Sequence, residues 1–195
     1  MRLAMLAALA AALVHAAPAV AAPERYRLDP EHLSIGFLVG HIGYADVLGK
    51  FLRAEGDFVL DEEARTVSDI KVTIDAASVF SNHEARDDHV RKADFLDVAR
   101  FPTITFVSTG ATATGPDTGT IDGDLTIRGV TRPVTLDVTL NKTGPYPFGD
   151  NYVAGVSART TIRRSDFGMT YAVENGWVGD EVQVIIELEA IRERS

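Results

Sequence analysis

The stretch Gly123–Leu140, GDLTIRGVTRPVTLDVTL, decides the fold. Leu125 and Ile127 alternate with Asp124, Thr126 and Arg128, and Val134, Leu136, Val138 and Leu140 alternate with Thr135, Asp137 and Thr139. Strict alternation sends one row of side chains into an apolar interior and the other into water. Gly129 occupies the break, where a chain reversal needs freedom from Cβ clashes. Pro133 has no N–H to give to a ladder, which places it at the start of the second strand. The stretch therefore predicts two antiparallel strands with one shared apolar face. A lone hairpin is not stable in water, so the rest of the chain must supply strands to cover that face.

It does so in both directions. His32–His41 alternates Leu33, Ile35, Phe37, Val39 and His41 against Ser34, Gly36, Leu38 and Gly40, after a short lead at 22–28 and a turn at Asp29-Pro30. Val47–Leu60 reads as a second strand region that bends at Gly49 and Gly56. Asp61–Arg65 is a polar turn, and Ser68–Ala76 a third strand carrying Ile70, Val72 and Ile74 on one face. Thr103–Thr109, Thr120–Arg128, Val134–Thr143, Tyr152–Arg163 and Glu181–Ile191 complete a count of eight. Between the third and fourth strands the period changes. Ser81-Asn82-His83-Glu84 fits a capping box and predicts a polar helix over 82–93, with a second turn at 94–98 that tucks in Phe95 and Leu96.

Strands in runs, not alternating with helices, exclude a parallel sheet of βαβ units. The expected class is all-β, an eight-stranded antiparallel barrel with a short helical insertion. A closed barrel leaves no exposed sheet edge, and eight strands enclose a side-chain core or one small ligand. A β-sandwich is the competing architecture, which pattern alone leaves open.

The first 21 residues have a different character. Arg2 precedes the apolar run Leu3–Val14, and Ala19-Val20-Ala21 reads as a cleavage site. The run is too short to span a bilayer and predicts a cleaved signal peptide at 1–21, hence a periplasmic protein with one domain at 22–195. With no cysteine, there is neither a disulfide framework nor a lipidated N-terminal Cys. The net charge is −9, and loss of Arg2 makes it −10. That argues against nucleic acid and against docking on an anionic membrane by charge alone.

Six fragments in order give the chain a family resemblance. They are Leu28-Asp29-Pro30-Glu31-His32 with Phe37, His41 and Gly43; Gly49-Lys50-Phe51; Arg86–Val90 leading to Asp94–Asp97 and Phe101–Phe106; the hairpin Gly123–Val134; Arg164–Met169; and Val178–Val182. The chain resembles the YceI-like proteins, exported bacterial proteins with a lipocalin-like barrel. Leu33 stands where the family often has Ser, and Leu96 where a second Phe is common. The resemblance implies a polyisoprenoid or other long-chain lipid as ligand, such as a polyprenyl phosphate or an isoprenoid quinone, held for carriage, storage or protection.

From pattern alone, the apolar face reads as a filled core. The resemblance turns part of it into a tunnel lined by Ile35, Phe37, Val39, Phe51, Ile74, Phe106, Leu125, Ile127, Val156, Ile162 and Val184. His41 ends the bulky face of its strand and is either a head-group partner or a core histidine satisfied by backbone. Arg86, Asp87 and His89 share one helix turn, as a polar lid that meets a head group or as a clamp between helix and barrel; the clamp is favoured. Arg128, Arg132, Arg163 and Arg164 could serve a pyrophosphate head but read rather as surface charge on loops.

No catalytic residue is assigned. An enzyme acting on the lipid would have only His41, Asp87 and His89 for acid–base work. A secreted interaction protein with a filled barrel is the third reading. There is no H-x₃-H, H-E-x-x-H or Cys pair, so His83, Asp87 and His89 do not make a specific zinc site, and no metal or cofactor is expected. An unpaired sheet edge would favour a homodimer.

Overall fold

The computed structural model describes residues 22–194. The signal peptide predicted at 1–21 lies outside them. The order of elements is β1 (Glu24–His41), β2 (Ala45–Phe51), β3 (Ala54–Asp61), β4 (Thr66–Asp75), β5 (Val79–Phe80), α1 (Glu84–Val90), β6 (Thr103–Ala113), β7 (Thr118–Ile127), β8 (Val130–Pro145), β9 (Tyr152–Arg163) and β10 (Val178–Arg192). Neighbouring strands pair antiparallel, and β10 pairs with β1 to close the ring.

Ten strands make eight staves. β2 and β3 are two halves of one, matching the single region expected at 47–60. The stave breaks at Leu52 and Arg53, whose backbone N–H groups both donate to the buried Ser78 hydroxyl at 3.1 Å. β5 is a two-residue strap that pairs with β2 at Lys50 and Phe51. α1 and its flanks cover this end of the barrel.

The hairpin 123–140 folds as its alternation predicts, and tighter than expected. Arg128 and Gly129 both have left-handed backbone, φ 52° and 71°, which suits a two-residue reversal between twisted strands. β8 consequently starts at Val130, and Pro133 lies inside it opposite Asp124. The proline is tolerated there because β9 joins β8 only from Asp137 onward. At Pro133 the side facing away from β7 has no ladder to interrupt.

Two further expectations need correction. The lead and turn at 22–32 are the first part of β1, which pairs with β3 and β10. A wide bulge between Leu28 and Leu33 admits three extra residues against β10 and keeps both leucines inward. The capping box is displaced too. His83, not Ser81, is the N-cap, its Nδ1 accepting from the Arg86 N–H at 3.3 Å, and the helix is shorter than 82–93. Ser81 is held elsewhere: its N–H and hydroxyl both donate to the buried Asp87 carboxylate.

Candidate functional site

The inward faces of the staves do not meet. They surround one cavity of about 880 Å³ that touches every stave of the barrel. The volume lies near the top of the range for small-molecule sites, and the wall is overwhelmingly aliphatic and aromatic. Glycines help to keep it open. Gly49 on β2 and Gly123 on β7 each leave the space taken by a phenyl ring, of Phe37 and Phe106 respectively.

Eleven of the expected lining residues lie on this wall: Ile35, Phe37, Val39, Phe51, Ile74, Phe106, Leu125, Ile127, Val156, Ile162 and Val184. His41 does not. It has the inward parity of β1, but the pairing with β10 is irregular between Val39 and His41, and the side chain is exposed at the barrel rim. The sequence reading missed Leu33, Leu136, Ile186 and Leu188, which also line the wall and belong to the same alternating rows.

Arg86, Asp87 and His89 are not among the lining residues. Asp87 is buried and accepts from Ser81. The Arg86 guanidinium donates to the Ser81 hydroxyl at 2.7 Å and to its carbonyl at 2.5 Å. His89 lies 2.9 Å from Asp94 and packs edge-on against Phe95 and Tyr171. Their contacts form a clasp that ties the helix to its own flanks at Ser81 and Asp94 and to Tyr171, and none of them goes to a barrel stave. Arg91 continues it by donating to the carbonyls of Ala77 and Val79, and Arg128 by donating to those of Ala93 and Phe95.

The expectation of surface charge fails at Arg164. This residue is 3 % exposed and lines the cavity. Its guanidinium donates to four backbone carbonyls, of Gly179 and Met169 at 2.7 Å and of Tyr171 and Val178 at 2.8 Å. Burial pulls its pKa below the ordinary value, partly offset by Asp180. Arg164 thus organises the 164–179 connection that closes this end. Arg163 and Arg132 are exposed, the former 3.7 Å from Asp180.

The opposite end carries a polar node that the sequence did not signal. Glu62 lines the cavity and accepts hydroxyl hydrogen bonds from Tyr26 at 2.8 Å, Thr143 at 2.6 Å and Tyr152 at 3.0 Å. Burial opposes its charge, but these three donors and Arg192 outweigh burial and hold its pKa below the usual carboxylate value. Tyr26 is fully buried, and burial together with Glu62 pushes its phenol well up. Arg192 lies over the Tyr152 ring at 4.1 Å.

His83, Asp87 and His89 are each engaged locally. Among the described residues, the group that brings three ligand-type atoms within 4.8 Å of one another is Asp29, His32 and Glu189, at the β1 bulge. It is an ion-pair cluster on the outside of the barrel: His32 Nδ1 is 2.7 Å from Asp29 and 3.7 Å from Glu189.

Comparison with known proteins agrees with this architecture. The profile described as YceI-like domain matches residues 26–190. UPF0312 proteins of Azotobacter vinelandii and Pseudomonas aeruginosa are each 39 % identical over 186 residues, covering 95 % of this chain and 95 % of their own. Among solved structures, the Campylobacter jejuni YCEI protein is similar with TM-score 0.70 and 27 % identity, over 80 % of this chain and 90 % of its own. A polyisoprenoid binding domain from Saccharophagus degradans, implicated in plant cell wall breakdown, shares the fold with TM-score 0.63 and 15 % identity, over 86 % and 98 %. The chain belongs to the YceI-like family.

Proposed function

We propose that this protein binds one long isoprenoid lipid, non-covalently, inside the barrel. The observation that carries the proposal is the apolar cavity of about 880 Å³ running between the two ends of a closed barrel. Each CH₂ moved from water into such a wall contributes about 0.8 kcal/mol, so a long hydrocarbon chain binds with few polar contacts. The structural likeness to a polyisoprenoid binding domain supports the same ligand class. An isoprenoid quinone or a polyprenyl phosphate fits it. The role is carriage, storage or protection of a molecule that water does not dissolve, in an exported protein released from its signal at 1–21. Binding without turnover is the reading favoured, because His41, Asp87 and His89 do not meet at the cavity wall.

Titration of the purified protein with a geranylgeranyl lipid, followed by native mass spectrometry, tests this. One lipid per chain is expected. Folded protein that takes up none contradicts the proposal.

A further inference from the structure

The rim at the α1 end carries an apolar tip built by two loops. The first is the His41–Tyr44 turn between β1 and β2, closed by the Tyr44 N–H donating to the His41 carbonyl at 3.1 Å. The second ends the 164–179 connection, where the Gly176 N–H donates to the Val173 carbonyl at 3.0 Å and the Val178 N–H to the Ala172 carbonyl at 3.1 Å. The Ile42 N–H donates to the Trp177 carbonyl at 3.0 Å and ties one loop to the other. Their large side chains are left in solvent: Ile42 is 47 % exposed, Trp177 57 % and Tyr44 90 %.

The needs of the fold do not account for Ile42. Ile42 and Gly43 both have left-handed backbone, φ 53° and 74°. The first of two such positions favours Asn, Asp or Gly, and a β-branched residue there is an outlier. The reversal at Arg128 and Gly129 has the same backbone, φ 52° and 71°, but there the side chain gains hydrogen bonds to the carbonyls of Ala93 and Phe95. Ile42 holds its strained backbone while presenting an apolar side chain to water. Strain kept at such a position points to work the side chain does outside the fold.

Area and charge select the partner. Tyr and Trp side chains offer about 150–250 Å² each, so the three residues expose roughly 300–450 Å², short of the about 800 Å² per partner that a stable protein interface buries. Trp and Tyr at a loop tip match instead the interfacial zone of a bilayer, which seats their apolar bodies and leaves their polar edges wet. The loop residues 41–46 and 171–178 include two exposed carboxylates, Asp46 and Glu174, and no Lys or Arg. Carboxylates beside an apolar tip are repelled by an anionic surface and matched by the outermost ammonium groups of a zwitterionic one.

We propose that the tip formed by Ile42, Tyr44 and Trp177 docks this protein on a zwitterionic bilayer surface. Docking sets the α1 end of the cavity, where Val39, Phe95 and Val178 line it, against the bilayer. The docking does not depend on what the barrel holds; its use in lipid exchange rests on the lipid binding proposed above.

Trp177 is the only tryptophan of the chain, so its fluorescence reports on the tip alone. Vesicles of phosphatidylethanolamine and phosphatidylcholine are titrated into the wild type. The emission is expected to move to shorter wavelength and to be quenched by brominated lipid chains, and partitioning to fall severalfold when phosphatidylglycerol replaces phosphatidylethanolamine. Ile42→Asn is expected to raise the urea midpoint, because Asn suits the left-handed position, and yet to weaken partitioning at least fivefold. Tyr44→Ser should weaken it as much with the midpoint unchanged. Phe148→Ser, in the exposed loop between β8 and β9 at the opposite end, should leave it unchanged. Trp177 emission unmoved by zwitterionic vesicles, tighter binding to phosphatidylglycerol, or an equal loss in Phe148→Ser overturns the proposal. So does a shift that grows with protein concentration in the absence of vesicles, which would assign the tip to a second copy of the chain. Lipid uptake is read separately by native mass spectrometry, so failure of docking and failure of the lipid proposal are told apart.

Discussion

The ring of Phe37 occupies the space that a side chain at Gly49 would need: a Cβ on Gly49 would stand 2.2 Å from the Phe37 Cζ. The two residues face each other across the β1–β2 ladder, and Phe37 then packs on Phe51 with ring centroids 5.8 Å apart. The pair lets a bulky ring lie flat against the wall instead of projecting across the cavity. Gly49→Ala is expected to cost about 1–3 kcal/mol through overpacking. Phe37→Leu in the same chain should recover most of it. Urea unfolding of the two variants and the wild type measures both effects.

Ala158 lines the middle of β9, opposite Ile186 on β10 and Val138 on β8. A larger apolar side chain there extends into empty volume, not into packed atoms. Ala158→Phe is expected to leave the melting temperature equal or higher and to lower lipid occupancy at least tenfold. Thermal unfolding read beside native mass spectrometry separates this result from misfolding.

Glu62 ties β1, β8 and β9 together at the hairpin end through Tyr26, Thr143 and Tyr152. Glu62→Ala strands the hydroxyl of the fully buried Tyr26. A loss of about 1–3 kcal/mol is expected from that unsatisfied donor, and Tyr26→Phe in the same background should restore part of it. Denaturant midpoints decide.

The β1 bulge should respond to pH. The hydrogen bond to Asp29 raises the His32 pKa above its ordinary 6.5, against the opposing effect of desolvation. Burial opposes the charge of Asp29, yet the bonds from His32 and the Glu31 N–H outweigh it and lower the pKa below 3.8. The His32 contribution is complete below 6.5 and is lost as pH rises through its raised value. The Asp29 contribution is present above 3.8 and is lost as pH falls through its lowered value. The stability difference between wild type and His32→Gln should therefore peak between these limits and shrink on both sides. Denaturant midpoints across pH measure it, and the His32 imidazole resonance should titrate above 6.5.

How far the chain could be read follows from the range of each signal. Alternation is local and strong, so the inward rows of β7 to β10 and the Leu33–Val39 part of β1 were legible, as were Phe51 on β2, Ile74 on β4 and Phe106 on β6, and with them eleven cavity residues. The bulge at Asp29–His32 breaks the period, which concealed the first part of β1. His41 obeys its row, but a period says nothing of where a stave leaves the barrel. Arg164 and Glu62 depend on contacts from distant segments. Four carbonyls converge on one and three hydroxyls on the other, and in the chain each is a charged residue beside a turn. The polar stretch 61–65 gave no sign that Glu62 faces inward. Nor could strand patterns show that the β4–β6 ladder ends at Lys71, since that depends on a backbone turn at Asp69.

The central claim is that the barrel holds an isoprenoid lipid. Its most direct test is to express the full chain, purify the protein without detergent, extract it with organic solvent and identify the extract by mass spectrometry. The account predicts one isoprenoid species in stoichiometric amount. An empty extract from folded protein that also refuses added isoprenoid would contradict it.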